Sequence, residues 1–129
     1  MSTQKEAIRR VGITGAAGNL GTTLQKGLAE KYELTLFDTR EIKPQYGKFV
    51  KIDFAEQKQL EGAFEGLDAL IHLAGNPNPG APARLTLRNN FVATSFVFEE
   101  ARRAQTKKVV FASSNFYHQG SIAEALDGR

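Results

Sequence analysis

The feature that most constrains this chain is a run of three glycines, Gly15, Gly18 and Gly21, between a strand-like segment at residues 11–14 and a helical pattern. A dinucleotide pyrophosphate needs this order: a tight turn, a bare backbone at the closest approach, and a helix N-terminus facing negative charge. An acidic residue, Asp38, follows roughly 20 residues later, as such a site requires for the adenosine ribose. The pattern predicts a dinucleotide-binding turn, with a purely structural strand-to-helix turn as the alternative.

The composition indicates one globular domain and excludes several classes of site. The 129 residues are 41% hydrophobic and 24% charged, with no cysteine and two histidines, so disulfides are excluded and a metal site is not expected. No apolar run reaches membrane-spanning length, and the polar N-terminus lacks the apolar core of a signal peptide, so we expect a cytoplasmic protein without membrane contact.

The net charge of +3 does not indicate nucleic-acid binding, because the basic residues form no single stripe. Arg102, Arg103, Lys107 and Lys108 close a long helical segment, where cations complement the helix dipole. We therefore expect a small molecule, not a nucleic acid, as the partner.

Strand-like and helical patterns alternate along the chain. The predicted strands cover residues 11–14, 33–37, 49–52, 69–74 and 108–112. Two helical patterns have apolar faces, the first of Leu20, Leu24 and Leu28 and the second of Leu60, Phe64 and Leu67. A long helix is predicted from about Arg84 to about Gln105, and its Phe91, Phe96 and Phe98 are expected to be core and helix-packing residues. A capping-box pattern at Ser121 and Glu124 predicts a further short helix. This order predicts an α/β fold with a doubly wound parallel sheet of about five strands.

The glycine segment, residues 14–21 with the sequence TGAAGNLG, resembles the TGxxGxxG motif of the extended short-chain dehydrogenases/reductases, the NAD-dependent epimerase/dehydratase family. Further matches follow in the family's order: Asp53-Phe54 after the third strand, residues 72–75 (HLAG), Asn90, and residues 111–115 (FASSN). The last segment is most similar to the uronate dehydrogenases. The resemblance implies a Rossmann-type domain and covers nearly the whole chain after about Arg9.

The resemblance also implies roles for individual residues. The implied cofactor-binding residues are Gly15, Ala17, Gly18, Asn19, Leu20, Gly21, Asp38, Asp53, Phe54, Leu73, Ala74, Gly75 and Asn90. Ser114 would hydrogen-bond the reacting hydroxyl or carbonyl, with Ser113 beside it and Asn115 near the substrate. NAD is favoured over NADP, because the Asp38 carboxylate would repel a 2′-phosphate, although Arg40 could accommodate one.

The sequence departs from the family in one respect. The family's proton-handling Tyr-x-x-x-Lys pair is absent, since Tyr117 is followed four residues later by Ser121, and Tyr32 and Tyr46 also lack the lysine. The expectation is that the pair and the substrate-binding part lie beyond Arg129, so that residues 1–129 form a single NAD(P)-binding domain that is incomplete at its C-terminus and lacks the later strands.

These observations predict the NAD-binding portion of a dehydrogenase or epimerase acting on a sugar or sugar derivative. The resemblance to the family also implies that the long helix is a place where a homodimer can form. The alternatives are a non-catalytic dinucleotide-binding module, such as a subunit completed by a partner chain, and an inactive truncated product. His72 is expected to be a packed core residue and not a base. For His118, substrate contact and simple exposure are equally compatible with the sequence.

Overall fold

The computed structural model describes residues 7–113, which contain a five-stranded parallel sheet. Its strands are β1 (Arg10–Thr14), β2 (Glu33–Asp38), β3 (Lys48–Lys51), β4 (Ala69–His72) and β5 (Lys108–Phe111). They lie in the order β3-β2-β1-β4-β5, and every neighbouring pair is parallel. The doubly wound parallel sheet predicted from the sequence is therefore confirmed. The predicted short helix at Ser121 and Glu124 lies outside the described residues.

The register brings the carboxyl ends of the central strands to one edge of the sheet. Thr14 lies opposite Phe37 of β2 on one side and opposite His72 of β4 on the other. In open α/β sheets, ligands bind at this edge where the strand order reverses, which here is the crevice beyond β1. The segments that follow β1, β2 and β4 therefore meet around one crevice.

The described helices connect these strands. They are α1 (Asn19–Leu28), α2 (Gln57–Leu60), α3 (Ala83–Thr86), a π-helical segment (Leu87–Val92) and α4 (Ala93–Arg103). The last three follow one another without a break, so the long helix predicted from about Arg84 to about Gln105 is present. The sequence pattern did not predict its π-helical turn, a feature that is rare and often found at functional sites.

The second predicted helix is much shorter than its apolar spacing suggested. α2 ends at Leu60, because Glu61 leaves the helical conformation (ψ 118°) and Gly62 then adopts a left-handed backbone angle (φ +74°). The chain continues through turns, yet Leu60, Phe64 and Leu67 are all buried, at 1%, 0% and 7% exposure. The spacing of these three apolar residues therefore predicted correctly which side chains are buried. The helix that it predicted over all three residues is wrong.

Apolar side chains cover both faces of the sheet. One cluster contains Phe37, Ile52, Phe54, Leu60, Phe64, Leu67, Leu70, Ala93, Val97 and Ala101. The other contains Val11, Ile13, Ala16, Leu34, Leu36 and Ala69, with Leu28 and Ala29 from the α1 side packed against it. Neighbouring residues of one strand, such as Leu36 and Phe37, belong to opposite clusters, as the alternation of side chains along a strand requires.

Two expectations about apolar side chains are wrong. Leu20 is 62% exposed, because α1 turns Gly21 and Gln25 toward the sheet instead. Phe91 is 70% exposed, whereas Phe96 packs against the core. Phe98 is 40% exposed, and its ring lies edge-on to the buried His72 ring at a centroid distance of 6.5 Å. Leu20 lines the crevice at the carboxyl ends of the strands, so its side chain faces that crevice and not the core.

Candidate dinucleotide-binding site

The three glycines of the turn differ in what requires them. Gly15 has φ +72°, and a Cβ there would lie 2.7 Å from the Ala74 backbone nitrogen. A Cβ on Gly21 would lie 2.5 Å from the Gly15 carbonyl oxygen. At Gly18 the nearest atom is the same oxygen at 3.3 Å, and its backbone angles (φ −78°, ψ 175°) suit any residue. Gly15 and Gly21 therefore serve the packing of the turn, whereas Gly18 leaves open space at the mouth of the crevice.

The start of α1 supplies hydrogen-bond donors to this space. Gly18 is the N-cap residue, and its carbonyl oxygen accepts the Thr22 N–H at 2.9 Å. The N–H groups of the first helical residues, Asn19, Leu20 and Gly21, have no intrahelical acceptors. They carry the positive end of the helix dipole, which makes this turn suitable for a phosphate group.

Asp38 is held beside the glycine turn at the end of β2. Its Oδ2 atom accepts the Ala17 N–H at 2.8 Å, and its Oδ1 atom accepts the Arg40 N–H at 2.9 Å. The Arg40 Nε atom lies 3.6 Å from Oδ1, and only 7% of the Asp38 side chain is exposed. Each carboxylate oxygen has further acceptor capacity, so Asp38 can accept ribose hydroxyls at the crevice wall.

A second carboxylate, Asp53, follows β3 and is paired with Arg88 of the π-helical segment. The Arg88 Nη2 atom donates to Oδ2 at 2.8 Å, and Nη1 donates to Oδ1 at 3.4 Å. These hydrogen bonds from Arg88 lower the pKa of Asp53, although partial burial opposes the shift. The sequence reasoning missed Arg88, because the pairing joins residues 35 positions apart and no local pattern marks it.

A buried hydrogen-bond chain joins the ends of β1 and β4. The Thr14 hydroxyl oxygen accepts the N–H groups of Leu73 and Ala74 at 3.1 and 3.2 Å. Its own proton is then directed to Nδ1 of His72, 2.6 Å away. The neutral imidazole therefore carries its proton on Nε2, which donates to the Thr94 hydroxyl at 2.9 Å. Both ring nitrogens are occupied, so His72 is the packed core histidine that the sequence indicated.

The environment of His72 predicts that stability falls at mildly acidic pH. Burial lowers its pKa from 6.5 to about 4. The unfolded chain takes up this proton near pH 6.5 and the folded chain does so only near pH 4, so the stabilisation is complete above pH 6.5 and is lost as the pH falls toward 4. We expect urea denaturation to report a loss of about 3 kcal/mol over this interval.

His72→Gln provides the control for that titration. It removes the ionisable ring, so the unfolding free energy should be lower at neutral pH and should change less across the same interval. The lowered carboxyl pKa of Asp53 contributes stability that is present above its ordinary value of 3.8 and lost below it, in a separate window. An identical pH slope in the wild type and His72→Gln would contradict the assignment.

Asn90 fixes the loop that follows β4. Its Oδ1 atom accepts the Asn76 N–H at 2.6 Å, and its Nδ2 atom donates to the Asn76 carbonyl oxygen at 3.1 Å. A Cβ on Gly75 would lie 3.1 Å from the same Oδ1 atom. Asn90 thus fixes the backbone of Asn76, which lines the crevice, without lining the crevice itself.

The crevice encloses a cavity of about 570 Å³, and most of the predicted cofactor-binding residues line it. Those in the wall are Gly15, Gly18, Asn19, Leu20, Gly21, Asp38, Asp53, Phe54, Leu73, Ala74 and Gly75. Ala17 and Asn90 instead hold Asp38 and Asn76 through hydrogen bonds. The sequence reasoning missed the wall residues Thr39, Ala55, Asn76, Pro77, Asn89 and Ala93, which neighbour predicted ones or lie on the long helix.

The predicted catalytic segment is only partly described. Ser113 is exposed just after β5, where the Ala112 N–H donates to the His72 carbonyl oxygen. Ser114, Asn115, Tyr117 and His118 lie outside the described residues. Within residues 7–113, no group of three or more His, Cys, Asp or Glu side chains is placed to hold a metal ion. Over the same part of the chain, no helix has the length and apolar character needed to cross a membrane.

Comparison with known proteins gives a consistent family. The profile of the NAD dependent epimerase/dehydratase family matches residues 11–125. An L-arabinose 1-dehydrogenase (NAD(P)(+)) of Haloferax volcanii is 38% identical over 117 residues, covering 90% of this chain and 45% of that protein. A uronate dehydrogenase of Pseudomonas putida is 35% identical over 126 residues, covering 90% of this chain and 46% of its own length.

Solved structures agree with this family. The crystal structure of a uronate dehydrogenase variant from Agrobacterium tumefaciens, complexed with NAD, superposes with a TM-score of 0.77 at 31% identity, covering 84% of this chain and 42% of the other. A glucuronic acid dehydrogenase from Chromohalobacter salexigens gives 0.76 at 28% identity, covering 84% and 42%. The chain thus spans somewhat less than half the length of these relatives.

Proposed function

The chain belongs to the NAD dependent epimerase/dehydratase family, and on that premise we propose that it is the NAD-binding portion of a dehydrogenase or epimerase acting on a sugar or sugar derivative. One observation carries the proposal: Asp38 is locked by the Ala17 N–H beside an open helix N-terminus, within a cavity of about 570 Å³. We propose that residues 1–129 belong to one such domain.

The residues present fit this cofactor. The open space at Gly18 and the free N–H groups of α1 suit the pyrophosphate, and the Asp38 carboxylate suits the hydroxyls of the adenosine ribose. Asp53 and Phe54 would hold the adenine end, and residues 73–75 would lie along the nicotinamide end. Bound NAD supplies hydride transfer to or from a substrate carbon.

The residues that would handle the substrate rest on the resemblance. We propose that Ser114 hydrogen-bonds the reacting oxygen, with Ser113 beside it and Asn115 near the substrate. The substrates printed in the names of the relatives, arabinose and uronates, support a sugar or sugar acid. NAD-dependent turnover of L-arabinose or glucuronic acid that is abolished in Ser114→Ala would support this assignment, and unchanged turnover in the variant would contradict it.

A second candidate is a non-catalytic dinucleotide-binding module. The observation in its favour is that no tyrosine of the sequence has a lysine four residues later. This candidate has the same cofactor site as the proposed dehydrogenase or epimerase, but it does not convert a substrate. It predicts NAD binding without conversion of any sugar, so oxidation of L-arabinose or glucuronic acid by the purified chain would exclude it.

Two further properties belong to the proposal. A cytoplasmic location is supported by the absence of cysteine from the sequence. A homodimer through the long helix is supported by the exposure of Leu87 and Phe91, at 57% and 70%. Analytical ultracentrifugation tests the dimer, which Phe91→Glu should dissociate. A monomer at all concentrations would contradict it.

The cofactor preference can be tested through Asp38. Calorimetry should show that the wild type binds NAD more tightly than NADP, because the buried carboxylate repels a 2′-phosphate. Asp38→Asn removes the negative charge, so we expect the NADP to NAD affinity ratio to rise about tenfold. The double variant Asp38→Asn/Arg40→Met removes the guanidinium as well and should lose that gain. Binding of neither dinucleotide by a folded wild-type sample would refute the proposed function.

A further inference from the structure

The π-helical segment contributes three consecutive polar side chains to the site. Arg88 is paired with Asp53, Asn89 lines the cavity, and Asn90 holds the Asn76 backbone. Neighbouring residues of a regular helix point in different directions. A π-helical turn distorts that arrangement locally and is often found at functional sites. This segment therefore braces the crevice wall after β3 and the wall after β4 together.

Arg88 makes the most extensive of these contacts. Its guanidinium spans both oxygens of Asp53 at 2.8 and 3.4 Å, and its Nη2 atom also lies 3.1 Å from Glu56. Two further hydrogen bonds fix Asp53 itself: its Oδ1 atom accepts the Ala55 N–H at 3.1 Å, and its backbone N–H donates to Gln59. A planar fork of this kind fixes the plane of a carboxylate, which a lysine cannot do.

The Asp53–Arg88 pair is placed for recognition more than for stability. The side chains of Asp53 and Arg88 are 35% and 42% exposed, and ion pairs with that degree of exposure contribute little to folding. Asp53 nevertheless lies in the cavity wall. An ionised carboxylate accepts hydrogen bonds but cannot donate one. It therefore favours a ligand that presents a hydrogen-bond donor at this point over a ligand that presents an acceptor.

We propose that Arg88 is a positioning residue that sets the base specificity of the site, by holding the Asp53 carboxylate in a fixed orientation to accept a hydrogen bond from the 6-amino group of adenine. A base with a carbonyl at position 6, such as hypoxanthine, presents an acceptor there and is disfavoured. At neutral pH the Asp53 carboxyl is ionised and only accepts hydrogen bonds, and its lowered pKa extends this form to more acidic conditions. This inference rests on the proposed NAD-binding function.

The test compares NAD with nicotinamide hypoxanthine dinucleotide by calorimetry. The wild type should prefer NAD about tenfold or more, the size expected for one hydrogen bond to a charged group. Arg88→Met should lower this preference several-fold, and Arg88→Lys should give an intermediate ratio because it restores the charge without the fork. Arg84→Met removes a cation from an exposed position on the same helical stretch and should leave the ratio unchanged.

A second variant tests the same contact from the other side. Asp53→Asn introduces an amide that can donate a hydrogen bond to a 6-carbonyl group. This variant should therefore show a smaller preference for NAD over the hypoxanthine dinucleotide, or the opposite preference. An unchanged ratio in Arg88→Met beside a changed ratio in Asp53→Asn would overturn the role of Arg88 and leave its pairing structural. Equal affinity of the wild type for both dinucleotides would overturn the base specificity. Failure of the wild type to bind either would refute the proposed function itself.

Discussion

Replacing Gly18 with valine is expected to weaken NAD binding at least about 100-fold while leaving the fold intact. Gly18 is in an extended conformation that valine adopts readily. A Cβ at this position would lie 3.3 Å from the Gly15 carbonyl oxygen, a tight contact that a shift of a few tenths of an ångström relieves. The branched side chain would project into the space where the pyrophosphate approaches the helix N-terminus. Calorimetry measures the loss of affinity, and thermal unfolding without ligand should give a melting temperature close to that of the wild type.

Gly27→Val is the matched control for this substitution. Gly27 lies on the exposed side of α1, and a Cβ added there would have no atom within 4 Å. The same change there should leave NAD binding intact. Retained NAD affinity in Gly18→Val would mean that the turn has only a structural role. A large loss of stability in that variant would instead mean that Gly18 also serves the packing.

The sequence predicted those parts of the fold and site that local patterns specify. The glycine spacing and the position of Asp38 predicted a turn and a carboxylate at adjacent strand ends. In the structure the two are joined by a hydrogen bond from the Ala17 N–H of the turn to Asp38. The parallel sheet followed from the alternation of strands and helices, because a helix between two strands returns the chain to the same end of the sheet and the next strand then runs parallel. Both features depend on residues close together in the chain, whose spacing alone carries the signal.

The features that were missed depend on contacts between distant parts of the chain. Arg88 reaches Asp53 across 35 positions, and the π-helical turn around it has no sequence signature. Leucine periodicity placed Leu20 in the core, although the close approach of Gly21 rotates α1 so that Leu20 faces the crevice. Phe91 was misassigned for a related reason, since its hydrophobicity indicated burial but could not indicate which face of the helix the sheet covers.

Gly21→Ala should have the opposite consequence to Gly18→Val, because it should damage the fold. The added Cβ would lie 2.5 Å from the Gly15 carbonyl oxygen and 2.7 Å from the Ala16 Cα atom, and both are backbone atoms that cannot rotate away. α1 would have to move off the turn, so we expect a destabilisation of about 3 kcal/mol or more and a melting temperature lower by about 10 °C or more. Urea and thermal unfolding without ligand measure both.

The same substitution at Gly27 separates this steric effect from a general response of α1 to alanine. Gly27→Ala adds a helix-favouring residue in open space, so it should raise the stability by up to about 1 kcal/mol. Alanine would then change the unfolding free energy in opposite directions at two positions of one helix. Only contact with the backbone of the turn accounts for this difference. Equal stability of Gly21→Ala and the wild type would contradict the close helix–turn packing. With Gly18→Val, the pair of results would divide one glycine motif into a position that the ligand requires and a position that the fold requires.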